Sequence, residues 1–448
     1  MAAAHGEVTD PRPALSGTPR RTVASWACWD WGSSAYSTIV TSFVFAPYLV
    51  NAVAADRPAG SLGGSTWLGI AMFVAGVAVA AIAPVTGQRA DAGGRRRRSL
   101  GFWSALVIAS TLGLFFVRDE YSYLWLGLVL LAAGSVFMEF AGVSYNAMLQ
   151  QISTPANIGR ISGIGWASGY VGGIFVLLLS FVLFIAPDVG LFGVTEEGGL
   201  KYRVLALVVA VWFTIFAIPV LVSVPEIPPT AAIERVGFLA SYRVLWHDVR
   251  ALYRADRHSV YFLLASALYR DGLAAVFSFG AVLAVSVYGL TASDVIIFGV
   301  AANIVAAVGA FGAGFLEDKV GPKKVILVSL AGLVTTSTIL LFSSGPVLFW
   351  VFGLVLTLWV GPAQASSRSY LARLAPEGRE GQMFGLYATT GRAVSFLAPG
   401  LFALLSGAFD SDRMGIIGIA LVLLMGAVAL WPVKPPPSHQ PSALELAG

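Results

Sequence analysis

The chain has 448 residues, of which 57% are hydrophobic and only 12% are charged, and its formal net charge is +4. Soluble proteins carry about 25% charged residues, so this composition excludes an ordinary soluble enzyme and indicates a protein that lies mostly within a bilayer. The single cysteine excludes a disulfide framework and a cysteine metal cluster. Because the four histidines fall outside the apolar runs, we predict no metal and no cofactor. The basic residues cluster in loops, so we predict no nucleic-acid partner.

Twelve apolar runs are each long enough, at about 20 residues, to cross a bilayer as a helix. Strands of a membrane barrel would be about half as long and would alternate in polarity. The sequence therefore predicts an all-α polytopic membrane protein with twelve transmembrane helices, which we number spans 1 to 12. In chain order the predicted spans are Thr22–Ala52, Thr66–Thr86, Leu100–Val117, Tyr121–Leu149, Ile161–Ile185, Tyr202–Ser223, Val260–Tyr288, Ser293–Phe315, Lys324–Phe342, Val347–Tyr370, Gln382–Phe409 and Met414–Trp431.

Most Lys and Arg residues fall in loops on the same side as the N-terminus, which predicts that both termini are cytoplasmic in a cell inner (plasma) membrane. The predicted domains are a disordered cytoplasmic N-terminus (1–21), an N-terminal six-helix half (22–223), a cytoplasmic linker (224–259), a C-terminal six-helix half (260–432) and a disordered cytoplasmic tail (433–448). We expect a monomer embedded in the lipid bilayer.

The linker between spans 6 and 7 carries a basic amphipathic pattern. Its apolar residues recur at helical spacing and arginines occupy other positions on the wheel, which predicts a helix lying on the inner leaflet. The alternative is an ordinary solvated linker helix. The apolar positions are Phe238, Tyr242, Leu245, Val249 and Leu252, and the basic positions are Arg235, Arg243, Arg250 and Arg254.

One pattern occurs twice, between spans 2 and 3 and again between spans 8 and 9. The copies are 227 residues apart, since 314 − 87 and 318 − 91 both give this value, which indicates two similar halves. In each copy an aspartate can pair with a basic residue or accept from a helix N-terminus, and thus act as a releasable latch. The alternative is a basic turn that only sets topology. The first hinge comprises Gly87, Asp91, Gly94, Arg95 and Arg96, and the second comprises Gly314, Asp318, Gly321, Lys323 and Lys324.

The spacing of the first hinge resembles the signature of the major facilitator superfamily, and the resemblance extends over all twelve spans. It implies two pseudo-symmetric six-helix halves, with spans 1, 4, 7 and 10 lining a central cavity and spans 3, 6, 9 and 12 facing lipid. Pro322 of the second hinge takes the place that Arg95 has in the first. This departure predicts that Asp91 and Arg95 form the stronger latch.

Five charged residues remain inside the predicted spans once the hinges, the loops and the span ends are set aside, and a charge that faces lipid there costs about 3 kcal/mol or more. They lie on spans 1, 4, 7 and 11, and none lies on spans 3, 6, 9 and 12, which the resemblance places against lipid; it also implies that span 11 flanks the cavity. A buried carboxylate can take up and release protons, and we predict that Asp30, Glu139 and Asp271 couple transport to protons. The alternative is that these acids only neutralise Arg270 and Arg392.

The same charges predict a binding site for a small zwitterion. Arg392 is the first choice for a ligand carboxylate and Arg270 is the second, whereas one of the three acids can hold an ammonium group. The other predicted substrate-binding residues are the polar Gln364 and Asn303 and the aromatic Trp29, Tyr36, Trp166, Tyr269 and Tyr387.

Span 5 carries a repeat of small residues, Gly165, Gly169 and Gly173. Small residues at this spacing let two membrane helices approach closely. The superfamily resemblance implies that span 8 is the neighbour and that this contact moves. Tight packing without motion is the alternative.

Several strings resemble the vacuole-effluxer family of major facilitators, which includes the autophagy-related vacuolar amino-acid exporters of fungi. These strings are Trp26–Tyr36, Gly159–Gly173, Tyr269–Gly272, Ser367–Tyr370 and Phe384–Tyr387. The resemblance implies export of small amino acids or similar metabolites by alternating access. The alternatives are a multidrug or other efflux pump of the same fold and a non-transporting receptor or scaffold. No nucleophile–base pair or phosphate loop in the spans points to an enzyme.

Overall fold

The computed structural model describes residues 19–226, 238–376 and 378–434. Nearly all of the predicted disordered N-terminus and tail therefore lies outside the described residues, as does Arg235 of the linker. Within the described ranges the secondary structure is almost entirely helical.

Among the described residues, twelve helices are long and apolar enough to cross a membrane, which confirms the predicted number. A further helix, the linker helix, runs over Phe238–Ala255 between spans 6 and 7. The spans are Arg20–Val53, Gly64–Gly93, Arg96–Phe116, Tyr121–Ile152, Ile158–Ile185, Glu197–Ser223, Arg257–Ser286, Ile297–Val320, Pro322–Phe342, Pro346–Leu374, Glu380–Ala408 and Asp412–Leu430.

The loops that join span 2 to span 3 and span 8 to span 9 are shorter than the polar gaps between the predicted spans. Gly87 and Asp91 belong to the last turns of span 2, and Gly314 and Asp318 belong to the last turns of span 8. The predicted spans ended too early because charged residues lower the local hydropathy although the helix continues. The two aspartates therefore have fixed helical positions.

The two six-helix halves meet along two seams. In one seam span 5 packs along span 8, and in the other span 2 packs along span 11. Span 11 is the counterpart of span 5 in the other half, and span 2 is the counterpart of span 8. The second seam therefore joins the counterparts of the two helices that form the first. The seams thus follow the internal repeat that the doubled hinge indicates.

Glycines allow close approach in both seams at the end of the bundle that carries the hinges, which we call the hinge face. Gly87 of span 2 lies against the backbone of Gly381 in span 11. In the other seam, Gly163 of span 5 lies against Ala310 and Gly314 of span 8. A methyl group at Gly87 or Gly163 would meet backbone atoms, so both positions require glycine while the hinge face is closed.

The seam predicted on span 5 was assigned to the wrong glycines. Gly169 and Gly173 lie against span 1 of the same half, and Gly165 faces both span 1 and Arg368 of span 10, whereas Gly159 and Gly163 meet span 8. Both sets repeat every four residues, so spacing alone could not show which face meets which neighbour.

We expect Gly87→Ala to prevent full closure of the hinge face, because the added methyl group meets the Gly381 backbone. Overpacking costs about 1–3 kcal/mol, or roughly 5- to 100-fold in the ratio of closed to open molecules. Maleimide labelling of a cysteine at Ala375, which is buried at this face, measures closure in a Cys28→Ser background. The control is Gly76→Ala on the same span, since a Cβ at Gly76 meets no atom within 4 Å. Equal labelling of the two variants would contradict the expectation.

Spans 1 and 11 are interrupted near the middle of the bundle. Span 11 consists of helices Glu380–Val394 and Leu397–Ala408, and the Asp271 carboxylate accepts a hydrogen bond from the Ala398 N–H at 2.6 Å. A carboxylate at a helix N-terminus satisfies backbone donors that the helix leaves open. Span 1 changes from α-helix to π-helix at Tyr36. Irregular backbone at this depth is tolerated where it is buried in protein or lines a cavity.

Candidate functional site

The first hinge joins span 2 to the start of span 11. The Asp91 carboxylate accepts hydrogen bonds from Arg96 Nε and from the Gln382 backbone N–H, both at 2.9 Å. Arg96 also donates to Glu380 of span 11. The Arg96 guanidinium therefore bridges one carboxylate from each half.

Arg95 is not the partner of Asp91, and the prediction that it is was wrong. The Arg95 side chain is exposed, whereas Arg96 is only 9% exposed. Gly94 has a left-handed φ of 57°, and span 3 begins after this turn with Arg96 facing inward. The sequence shows four consecutive arginines at 95–98, and only the turn decides which of them reaches Asp91.

The second hinge holds span 5 through its N-terminus. The Asp318 carboxylate accepts hydrogen bonds from the backbone N–H groups of Gly159 and Arg160, at 2.9 and 3.1 Å. These are among the open donors at the start of span 5, where a carboxylate is stabilising. Arg373 of span 10 supplies the cation, 3.7 Å from Asp318.

The two hinges differ in their basic residues. Lys323 occupies the place of Arg96, since 323 − 96 is 227, but it donates to the Trp431 carbonyl oxygen at 2.7 Å. Gly321 ends span 8 with a φ of 87°, and Pro322 begins span 9. The second hinge therefore closes by helix capping and a distant arginine instead of by its own lysine.

A buried arginine of span 10 inserts into the N-terminal half just inside the hinges. Arg368 Nη1 lies 3.0 Å from Asp30 of span 1. Arg368 Nε and Nη2 donate to the hydroxyl and carbonyl of Ser162 in span 5, at 3.0 and 2.6 Å. Arg368 Nη1 also reaches Asn146 of span 4 at 3.4 Å. Three rings of the same half surround the guanidinium at 4.9–5.9 Å, those of Trp26, Tyr145 and Trp166.

This Arg368 cage was missed by the sequence analysis, which did not count Arg368 among the interior charges. Arg368 lies only six residues before Leu374 (374 − 368), where span 10 ends. A basic residue so close to the end of a span is easily taken for part of the following loop. The spacing of four residues between Arg368 and Gln364 was the available signal, because it puts both residues on one helical face. Asp30 consequently pairs with neither of the two arginines that were expected to neutralise it.

A second ion pair lies deeper in the bundle and faces the cavity. Arg392 of span 11 donates to Glu139 of span 4, and each side chain keeps 33% of its surface exposed. The side chains of Arg368 and Asp30 keep only 6% and 18%. A solute in the cavity can therefore reach the Glu139–Arg392 pair more easily than the Arg368 cage.

Arg270 of span 7 has no carboxylate partner among the described residues. Its guanidinium lies 3.7 Å from the centre of the Tyr387 ring and donates to the Tyr387 carbonyl oxygen at 3.0 Å. The Tyr387 hydroxyl is hydrogen-bonded to Ser367 at 2.6 Å, and Ser367 is bonded to Tyr269 at 2.7 Å. Gly391 leaves room beside the guanidinium. Because a guanidinium has five N–H donors, most of those of Arg270 remain available for an anion.

Gln364 and Trp166 border the space between the halves. Gln364 Nε2 donates to the Tyr170 hydroxyl of span 5 at 3.4 Å, and the Trp166 and Tyr170 rings are 5.9 Å apart. Asn303 instead donates to the Gly299 carbonyl of its own helix at 2.8 Å. The structure therefore brings Gln364 and Trp166 to the seam and leaves Asn303 bonded to its own backbone.

Trp29, Tyr36 and Tyr269 are nearly fully buried in helix packing. Trp29 Nε1 donates to the Ser104 hydroxyl, and the Tyr36 hydroxyl donates to the Leu131 carbonyl, each at 3.1 Å. A buried Tyr or Trp of this kind keeps its polar atom satisfied while its ring packs. These three side chains are therefore packed between helices and do not line a cavity in this conformation.

The polar contacts that the described residues make between the two halves lie toward the hinge face. The deepest ion pair between the halves is Arg392–Glu139, and Arg392 lies twelve residues after Glu380 (392 − 380), where span 11 begins. At 1.5 Å per residue this depth is about 18 Å. Beyond it, the described residues make no polar contact between the halves.

Solved structures of other proteins show the same fold. The proton:xylose symporter XylE aligns with a TM-score of 0.72 over 93% of this chain and 95% of its own, at 12% identity. A bacterial homologue of the iron transporter ferroportin, in the outward-facing state, aligns with a TM-score of 0.66 over 92% and 98%, at 14% identity. These likenesses show the fold, which is that of the major facilitator superfamily, and confirm the predicted fold class.

The profile described as "Vacuole effluxer Atg22 like" matches residues 150–440, and the chain belongs to this family. The "Uncharacterized MFS-type transporter YxiO" of Bacillus subtilis (strain 168) is 25% identical over 415 residues, covering 91% of this chain and 93% of that protein. "Autophagy-related protein 22" of Yarrowia lipolytica is 28% identical over 336 residues, covering 67% of this chain and 55% of that protein. The chain thus spans about half the length of the fungal relatives. The protein is a multi-pass membrane transporter, and the predicted family is confirmed.

Proposed function

We propose that the protein carries a small zwitterionic metabolite, such as an amino acid, across a plasma membrane by proton-coupled alternating access. The observation that carries this proposal is the state of Arg270, a half-buried guanidinium of span 7 without a carboxylate partner among the described residues. An uncompensated charge at this depth is costly. A substrate carboxylate that supplies the missing partner is therefore bound selectively.

Arg270 replaces Arg392 as the first choice for the substrate carboxylate. Arg392 already holds Glu139, so its charge is compensated before any substrate binds. The Arg270 guanidinium lies over the Tyr387 ring, which fixes its plane. A guanidinium with a fixed plane can donate two parallel hydrogen bonds to one carboxylate.

Glu139 is the acid best placed for the substrate ammonium group. Gly391 lies beside Arg270, and its neighbour in the chain, Arg392, reaches Glu139. The proposed carboxylate site at Arg270 and the proposed ammonium site at Glu139 are thus each in contact with one of two consecutive residues of span 11, Gly391 and Arg392. A small molecule that carries both charges close together fits this pair of sites.

Proton coupling is assigned to Glu139 first and to Asp30 second. Glu139 faces the open cavity, whereas Asp30 becomes accessible when Arg368 leaves its cage, which happens as the hinge face opens. Protons can thus reach Glu139 through the cavity while the hinge face is closed, and they can reach Asp30 from the other side of the membrane when the hinge face opens. Asp271 is not part of this proposal, because its carboxylate caps the second helix of span 11.

The hinge face is assigned to the cytoplasm because most of the basic loops lie there. The conformation described is then outward-open, with both termini inside. The family description as an effluxer supports release of the substrate from this state to the outside.

We expect Glu139→Gln to uncouple uptake from an imposed pH gradient while substrate exchange continues with a lower affinity, because the glutamine amide oxygen can still accept a hydrogen bond from the substrate ammonium group. Glutamine keeps the size of the side chain but cannot exchange a proton with the cavity. In proteoliposomes, the gradient should accelerate uptake by the wild type and leave uptake by the variant unchanged. The control is Glu197→Gln at an exposed acid of span 6, which should behave like the wild type. If Glu139→Gln and Asp30→Asn both keep gradient-driven uptake, the coupling proposal is wrong.

A thermal-shift screen of the purified chain tests the substrate class. A ligand that binds the folded protein raises its unfolding temperature by mass action. Amino acids should stabilise the protein, whereas the matching amines, which lack the carboxylate, should not. If lipophilic cations stabilise it and amino acids do not, the protein is a multidrug pump of the same fold and the proposed substrate class is wrong.

A further inference from the structure

The inner face of the linker helix packs on protein across the seam between the halves. Val249 and Leu252 share a pocket with Met383 of span 11, and the Tyr242 hydroxyl donates to the Ala81 carbonyl of span 2 at 2.8 Å. The sequence pattern predicted that this apolar face lies on the inner leaflet. The structure instead occupies it with spans 2 and 11.

The outer arc of the linker helix is exposed and combines aromatic with basic side chains. Trp246 and Tyr253 are 67% and 47% exposed. Arg243, Arg250 and Arg254 are also exposed, and none of the three has a carboxylate partner among the described residues. Counted from Arg243, the five residues stand at positions i, i+3, i+7, i+10 and i+11, which all fall on one side of a helix.

The depth of the linker helix places the outer arc at the membrane interface. Ala81, which accepts from Tyr242, lies ten residues before Asp91 (91 − 81) on span 2, or about 15 Å inward from the first hinge. At its other end Leu252 shares the pocket with Pro376, beside the loop between spans 10 and 11. The helix therefore runs through the zone of headgroups and upper acyl chains. Tryptophan and tyrosine are enriched in this zone, and arginine reaches from it to the phosphates.

We propose that the outer arc binds anionic phospholipid of the surrounding bilayer. Three arginines without carboxylate partners among the described residues match a surface of negative headgroups, and the exposed rings of Trp246 and Tyr253 match the boundary of the acyl chains. Because the inner face bridges spans 2 and 11, bound lipid holds the linker helix against the seam that closes the hinge face. Anionic lipid thus stabilises the closed hinge face, whichever substrate the cavity takes.

The test is native mass spectrometry of the full chain in detergent with dioleoylphosphatidylglycerol or dioleoylphosphatidylcholine. We expect preferential binding of phosphatidylglycerol, and about 30-fold weaker binding after Arg243→Gln and Arg250→Gln together. The matched control is Arg57→Gln with Arg118→Gln, which removes the same charge from exposed positions on the opposite face. The control should bind like the wild type. Unchanged elution and unfolding temperature without added lipid show that both double variants fold.

Equal binding of phosphatidylglycerol by the two double variants would overturn the proposal, whether both retain it or both lose it. Competition by soluble glycerol 3-phosphate at the same concentration as the lipid would also overturn it, because a bilayer surface would then not be required. A loss confined to the linker-helix variant, without such competition, supports it.

Discussion

Arg368→Gln is expected to leave the hinge face open and to abolish net transport. The substitution removes the cation that Asp30 and Ser162 hold in the cage. Removing one partner of a buried ion pair costs about 3–5 kcal/mol, and this cost falls on the closed state because the partners belong to different halves. The ratio of closed to open molecules should drop by roughly two to nearly four orders of magnitude. Labelling of the cysteine at Ala375 should rise accordingly.

Two further variants separate this effect from a general loss of stability. Arg368→Lys keeps the charge for Asp30 but cannot reproduce the forked contacts to Ser162, so its labelling should be intermediate. Arg203→Gln is the matched control, because Arg203 donates to the Phe115 carbonyl within its own half and should leave labelling unchanged. Wild-type labelling in Arg368→Gln would show that the cage does not hold the hinge face closed.

Arg270→Gln is expected to weaken substrate binding without opening the hinge face. Charge-assisted hydrogen bonds contribute about 1.5–3 kcal/mol, so the dissociation constant should rise roughly 10- to 100-fold. The fold should survive, because Arg270 gives up one hydrogen bond to Tyr387. Titration of the wild type and the variant with the best ligand of the thermal-shift screen measures the change.

Arg270→Lys and Arg392→Gln complete this comparison. Lysine restores the charge but not the parallel pair of donors, so it should recover only part of the affinity. Arg392→Gln releases Glu139 and should alter the response to a pH gradient more than the affinity for a carboxylate. If Arg392→Gln loses the affinity and Arg270→Gln keeps it, the carboxylate site is at Arg392.

The features predicted correctly from the sequence are those that depend on long segments or on repetition. Span number follows from hydrophobic length, because every spanning helix must meet the same thickness of hydrocarbon. The doubled hinge predicted two halves, and its aspartates do hold the neighbouring half. Glu139 and Arg392, two of the interior charges that the sequence singled out, form an ion pair between the halves.

The individual contacts could not be predicted, because they depend on how each helix is rotated and where each turn points. Asp30 and Arg368 are 338 residues apart in the chain, and nothing local to either residue indicates the other. The choice between Arg95 and Arg96 depends on the left-handed turn at Gly94. Asp271 was expected in the cavity because the sequence does not show that span 11 breaks and needs a cap at Ala398.

Counterflow in proteoliposomes tests the central claim, that the protein carries a zwitterion whose carboxylate binds Arg270. Vesicles are loaded with an unlabelled amino acid, and the entry of the same labelled compound is followed for the wild type, Arg270→Gln and Arg57→Gln. The claim predicts rapid entry with the wild type and Arg57→Gln and at least about tenfold slower entry with Arg270→Gln. Absence of counterflow with every amino acid tried, or full counterflow with Arg270→Gln, would contradict it.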